Sequence, residues 1–420
     1  MARSWQRRTK GQVLGSGCQG PGAGKERNSK IETRDLGIEF RVSSFVFRFW
    51  PLAPCLPKGE PFESMWCRIP LAVLLVSGLA SSLPSGVAAG VPAGPDVPDQ
   101  AALQEAARWI GREGKIETEY HYVMTCKVRF LLFWAGRDDV GGGYVRIGKA
   151  SGEERQLMIQ ILFGSDPAKA PLSINRWGAG TEVLRSADSG QPVASAFFGF
   201  MKSSKGQSVL AMRSELSKEK ANGAHLFEGI ISRVDDGRAL STTVPYSSNR
   251  DFDLHQYAEA EKATLQQLES NPSRHIRRLD GAARSACPRA GEFLSTTLQL
   301  IDDAVAGRPT PVSLCYIYNA RHYKATLLSV HPVAEKKVHV ALRGNCGSFD
   351  RTYRRLQEAH FEVAGEETGT KSSFDILLGT EGNLRSAPIQ ITYQPNWWFQ
   401  VILNLGPETP PPNEPGTASR

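Results

Sequence analysis

The chain of 420 residues lacks most of what marks an enzyme by sequence. Past residue 89 there is no GxSxG nucleophile elbow and no CxxC pair. No two histidines sit at metal-ligand spacing on one element. No repeat is visible. No apolar run reaches the roughly 20 residues that a membrane-spanning helix needs; Ile69 to Ala80 (IPLAVLLVSGLA) extends for only about a dozen. No integral membrane span is therefore expected once that segment is removed.

That short run has the parts of a secretory signal. Met65-Trp66-Cys67-Arg68 gives a start and a positive charge, Pro84 and Gly86 break the run, and Val87-Ala88-Ala89 offers small residues for cleavage. Residues 65–89 are read as a signal peptide cut after Ala89, with Ala93 as the fallback. Residues 1–64 are read as a non-native, disordered extension ahead of a start at Met65. The product is expected to be periplasmic or secreted. Two glycine patterns, Gly15 to Gly20 and Gly20 to Lys25, are chance matches to nucleotide loops. The first lacks a flanking strand and helix, and the second is one residue short.

Removing the leader also removes the charge. The whole chain carries +7, but residues 1–89 hold 12 Lys/Arg against 6 Asp/Glu, leaving 38 basic and 37 acidic residues. A balance of +1 gives no overall field for nucleic acid or an anionic membrane. Of seven cysteines, Cys126, Cys287, Cys315 and Cys346 remain. In an oxidising compartment four cysteines allow disulfides in three connectivities; zero to two bridges are expected.

Residues 90–100 (GVPAGPDVPDQ) read as a flexible lead-in. Residues 101–405 read as one β-rich domain, with sub-sheets over 115–250 and 289–405 joined by a helical segment. Helical spacing predicts helices over 101–111, 254–270 and 290–306. The last places Phe293, Leu294, Thr297, Leu298, Ile301 and Val305 on one apolar face, stopped by Gly307. Alternating, aromatic and β-branched runs predict strands at 119–133, 144–148, 156–163, 182–185, 194–201, 226–234, 312–318, 322–330, 337–342, 354–363, 373–378, 389–393 and 397–405. Residues 136–143 (GRDDVGGG) read as a turn between two of them. The tail over 406–420 is Pro-rich and expected to be disordered. The fold class is β-rich α+β: a twisted antiparallel sheet or half-barrel with two or three helices packed against it.

Candidate chemistry is sparse. Asp138 and Asp139 lack calcium-loop spacing and read as a solvated hairpin tip. Arg176 beside Trp177 could stack a guanidinium on an indole and meet an anionic group, or simply close a turn. Trp397-Trp398-Phe399 is the most unusual feature. Neighbours on a strand face opposite sides, so one Trp can enter the core while the other meets solvent, a partner or a ligand. The candidate ligand-binding residues are Trp397, Trp398, Arg176 and Trp177; no catalytic residue, metal or cofactor is nominated.

Residues 289–405 resemble a group of uncharacterised exported bacterial β-proteins classed as a domain of unknown function. The resemblance is carried by the helix Phe293 to Gly307, the hairpin Tyr318-Asn319-Ala320-Arg321-His322-Tyr323, the turn Cys346-Gly347-Ser348-Phe349, and Pro388-Ile389-Gln390-Ile391 before the final strand. Glu381-Gly382-Asn383 departs from the acidic residues usual before that proline. Members look similar in build to periplasmic lipoprotein carriers, whose curved sheet holds acyl chains against a helix. The resemblance implies a non-enzymatic binder of a hydrophobic or lipid-like ligand. The alternatives are a structural component of the envelope, or a hydrolase with a site assembled from distant residues.

Overall fold

The computed structural model describes residues 97–112, 114–130, 133–150, 156–187, 192–202, 225–235, 238–270, 276–280, 291–343, 347–365 and 369–407. The signal segment, the extension before it, Cys287, Cys346 and the tail beyond 407 lie outside these residues. All described residues belong to one compact unit.

Helix α1 (Val97–Ile110) opens the described chain, so the expected lead-in ends in a helix. Strands β1 (Gly114–Phe130), β2 (Phe133–Ala150), β3 (Gln156–Ser165), β4 (Trp177–Ser186), β5 (Pro192–Lys202), β6 (His225–Asp235) and β7 (Arg238–Ser248) follow. Helix α2 (Tyr257–Ser270), β8 (Ile276–Asp280) and α3 (Phe293–Val305) come next. Strands β9 (Val312–Tyr318), β10 (Arg321–Ala341), β11 (Ser348–Gly365), β12 (Lys371–Gly379), β13 (Pro388–Asn396) and β14 (Phe399–Leu405) complete it.

The fourteen strands form one sheet in the order β8 to β1, then β14 to β9. The two expected sub-sheets are two meanders fused where β1 pairs antiparallel with β14, Met124 opposite Leu403. The class read from sequence holds: a β-rich, twisted antiparallel sheet, not closed, with three helices. Hairpin chemistry explains its local connections. Asn319 and Ala320 both take positive φ (52° and 50°), the geometry of a tight two-residue turn between β9 and β10.

The first meander is buried on both faces. In β3, Ile159, Ile161 and Phe163 enter one core, while Met158 and Leu162 enter a second. That second core is closed by Leu103, Ala106 and Ile110 of α1 and Ala260 of α2. The first core holds α3 together with residues of β10 to β14. Among the described helices, therefore, α3 lies on the inner face and α1 and α2 cover the outer one. Burial on both faces gives near-continuous apolar strands rather than clean alternation; β5 is buried from Ala194 to Phe200.

Strand β9 does not pair with β8 to close a barrel. It tucks against the inner face instead: Ile317 packs with Val234 and Ala239, and the Tyr318 ring meets Phe197 edge-on at 5.4 Å. The Ser241 hydroxyl donates to the Asn319 side-chain oxygen at 2.8 Å. The sheet is therefore rolled, with one edge shielded inside the roll, which removes an aggregation-prone edge.

The segment 136–143 is strand, not turn. A Cβ on Gly141 would lie 2.0 Å from the Gly164 carbonyl oxygen, and one on Gly142 2.2 Å from that of Tyr122. These glycines permit close backbone approach within β2. A bulge opposite Thr125 sends Asp138 and Asp139 inward. Asp138 accepts from the Thr125 hydroxyl (2.8 Å) and the Ala341 N–H (3.2 Å). Asp139 is buried, pairs with Lys169 at 3.0 Å and accepts the Arg343 N–H at 2.8 Å. The two carboxylates expected to be solvated instead clamp β2 to the end of β10.

Candidate functional site

The inner face and α3 do not meet completely. Between them lies a cavity of about 320 Å³. Its helical wall is Phe293, Leu294, Thr297, Leu298 and Ile301, the apolar face that helical spacing predicts. Strands of both meanders supply the opposite walls: Tyr120, Ile147 and Ile161 from β1 to β3, Phe374, Ile376 and Ile391 from β12 and β13. Asp302, Arg385 and Ser386 supply its charged and polar lining near one another, with Thr118, Tyr120 and Thr297 among the apolar walls. The Ser386 hydroxyl donates to Asp302 at 3.1 Å, fixing the loop against the helix, and Arg385 is exposed beside them.

What holds the wall in place is a carboxylate from another element. The first N–H groups of a helix have no intrahelical acceptor, and Glu292, at the cap position of α3, makes no side-chain cap bond. Glu182 of β4 does this work from across the core. One of its oxygens accepts the Glu292 N–H (3.0 Å) and the Ser295 hydroxyl (2.5 Å). The other accepts the N–H groups of Leu294 (2.9 Å) and Ser295 (3.0 Å). The helix dipole favours a negative charge there.

Glu292 is buried beside it and accepts from the Ser232 hydroxyl at 2.8 and 2.9 Å. Burial raises both carboxyls above the ordinary range, and the Glu182 charge pushes Glu292 further up. The pair titrates as a unit. Four donors converge on Glu182 and one hydroxyl on Glu292, so of the two Glu182 is the better placed to carry a negative charge.

No family profile and no curated protein matches the chain. Among solved structures it is similar to a beta-barrel-like protein of domain of unknown function DUF1849 from Brucella abortus. The two share 10% identity with a TM-score of 0.33, over 70% of this chain and 98% of that one.

The four residues singled out by sequence lie elsewhere. Trp177 is fully buried in the outer core; its indole N–H donates to the Phe252 carbonyl at 3.0 Å, and its ring meets Phe200, Phe227 and Tyr257. The Arg176 N–H donates to the Ser165 hydroxyl at 2.8 Å, and Asn175 bonds to the Phe252 carbonyl at 3.1 Å. Asn175 and Trp177 thus tie the start of β4 to the segment before α2, and Arg176 ties it to β3. Trp397 and Trp398 occupy the turn before β14 rather than the strand itself; Trp397 is exposed and Trp398 leans on Phe399 at 5.7 Å. None of the four lines the cavity. Among the described residues no three metal-ligating side chains gather. No helix among them is long and apolar enough to cross a membrane. Cys315 is disulfide-bonded to a partner outside the described residues, and Cys126 is free with its thiol pushed up to about 12 by burial.

Proposed function

We propose that the chain is an exported, non-enzymatic binder of a small hydrophobic or amphipathic ligand, held between α3 and the rolled sheet. The observation that carries this is the cavity: apolar walls from both meanders and a helix, with Asp302, Arg385 and Ser386 near one another. Ligand sites have this make-up, apolar contact surface with a few orienting polar groups. At about 320 Å³ it stands at the small end of the roughly 300–1,000 Å³ usual for such sites. The ligand is therefore a single short chain or a compact apolar molecule, with a polar end toward Arg385 and Ser386. Whole multi-chain lipids exceed the space.

Export is supported by the signal-like composition of residues 65–89 and by the disulfide at Cys315, since such bonds persist in oxidising compartments. N-terminal sequencing of the native protein tests it, with Gly90 expected first; peptides from residues 1–64 would count against it. Binding is tested by displacing a fluorescent fatty acid with unlabelled medium-chain acids. Leu298→Trp fills the cavity and is expected to weaken probe binding at least about tenfold, at the modest stability cost of overpacking. Equal probe binding by a folded Leu298→Trp variant would place the ligand elsewhere.

A further inference from the structure

Two hairpin tips stand side by side at one end of the sheet. Pairing of β1 with β2 runs out to Phe130 opposite Phe133, and that of β13 with β14 to Asn396 opposite Phe399. Pairing of β1 with β14 makes them neighbours: Val128 lies opposite Phe399, and the Arg129 N–H donates to the Trp398 carbonyl at 2.7 Å. Arg129 is also opposite Trp134. Cross-strand partners share a face, so Trp134 and Arg129 lie on one face, with Trp398 held beside Arg129 by that backbone bond from the turn before β14. At these tips Phe133 is 62% exposed, Trp397 64% and Trp134 38%.

The charges at the tips are of one sign. Residues 127–136 (KVRFLLFWAG) and 394–400 (QPNWWFQ) contain Lys127 and Arg129 and no acidic residue. Trp and Phe with flanking basic groups are the composition of a bilayer interface, where the rings sit at headgroup level and the cations meet phosphates. A stable protein interface needs a shape-matched surface of roughly 800 Å² per partner, whereas insertion of a few rings between lipids does not.

We propose that these tips dock the protein on a phospholipid bilayer, with Phe133, Trp134 and Trp397 entering the headgroup boundary and Lys127 and Arg129 facing lipid phosphates. The nearly balanced charge past residue 89 supplies no long-range field, so the aromatic rings lead and the two cations add a salt-sensitive part. The proposal rests on residues other than those of the cavity: none of Lys127, Arg129, Phe133, Trp134 and Trp397 lines it.

Hydrogen exchange of the full chain tests it, with and without vesicles of phosphatidylethanolamine and phosphatidylglycerol. The tip amides, 128–135 and 396–399, are expected to slow several-fold with vesicles. In the Phe133→Ser, Trp397→Ser double variant, the lipid concentration giving half protection should rise at least about tenfold, with the melting temperature unchanged. Unchanged exchange at the tips overturns the proposal, as does equal protection in the variant. Protection that grows with protein concentration in the absence of lipid also overturns it and assigns the patch to a second copy of the chain.

Discussion

Glu182→Ala should uncouple α3 from the sheet it faces. In the wild type the carboxylate satisfies three backbone N–H groups and the Ser295 hydroxyl, all at the start of the helix. The hydroxyl has a fallback, the Glu292 carbonyl at 3.4 Å. The three N–H groups do not, and each buried donor left unmet costs about 1–3 kcal/mol. Relief from burying a charge next to Glu292 offsets part of this. The net loss should be about 3–5 kcal/mol, the range for breaking a buried charged interaction by removing one member. That is a large share of a typical domain stability of about 5–15 kcal/mol. Glu182→Gln keeps one acceptor oxygen but turns an amide NH₂ toward the remaining donors, so it should fall between Ala and wild type. Urea unfolding followed by tryptophan emission measures all three. A loss below about 1 kcal/mol for Ala would refute the reasoning. So would equal losses for Ala and Gln, since the cap would then not depend on acceptor count.

Glu261 of α2, half-buried and hydrogen-bonded to Thr181, is raised by desolvation from 4.5 to about 7. The folded state thus holds a proton that the unfolded chain has released, so the contribution of Glu261 to stability should fall as pH rises from about 4.5 to about 7 and then level off. Glu261→Gln should flatten that slope, gaining on the wild type at pH 8 relative to pH 5 in thermal melts; parallel profiles would contradict it. Trp177→Ala should cost about 3–5 kcal/mol by opening the outer core, whereas Trp177→Phe should cost about 1 kcal/mol because Asn175 still satisfies the Phe252 carbonyl. Calorimetry separates the two. Cys126, half-buried with its thiol pushed up to about 12, should react slowly with thiol reagents at pH 8 until the chain unfolds; rapid labelling of the folded protein would disagree.

The class of fold was legible because strands and helices wrote their own periods. Helix α3 is the clearest case: the spacing of Phe293, Leu294, Thr297, Leu298 and Ile301 gave both the helix and the face that became the cavity wall. Strand bounds were less legible where other forces outweighed local pattern. The expected strands 322–330 and 337–342 are one: β10 runs through His331-Pro332, with Pro332 opposite Gln357. Gly141 and Gly142 read as turn residues because their role, making room for neighbouring backbones, is set by strands distant in sequence. The aromatic pair Trp397-Trp398 drew attention by residue type and was placed on the final strand; the chain reverses there instead. Glu182 carried no local signal at all, because its partners lie more than a hundred residues away. Strand β8 and the fusion of β1 with β14 likewise depend on long-range pairing that no window of sequence contains.

The central claim is that the space between α3 and the sheet accepts an apolar ligand. Crystals grown with a medium-chain fatty acid brominated at its tail test it most directly. The account predicts an anomalous bromine peak between Leu298 and Ile161, with the carboxylate toward Arg385 and Ser386. An ordered cavity that stays empty at saturating ligand, or bromine bound only outside it, would contradict the account.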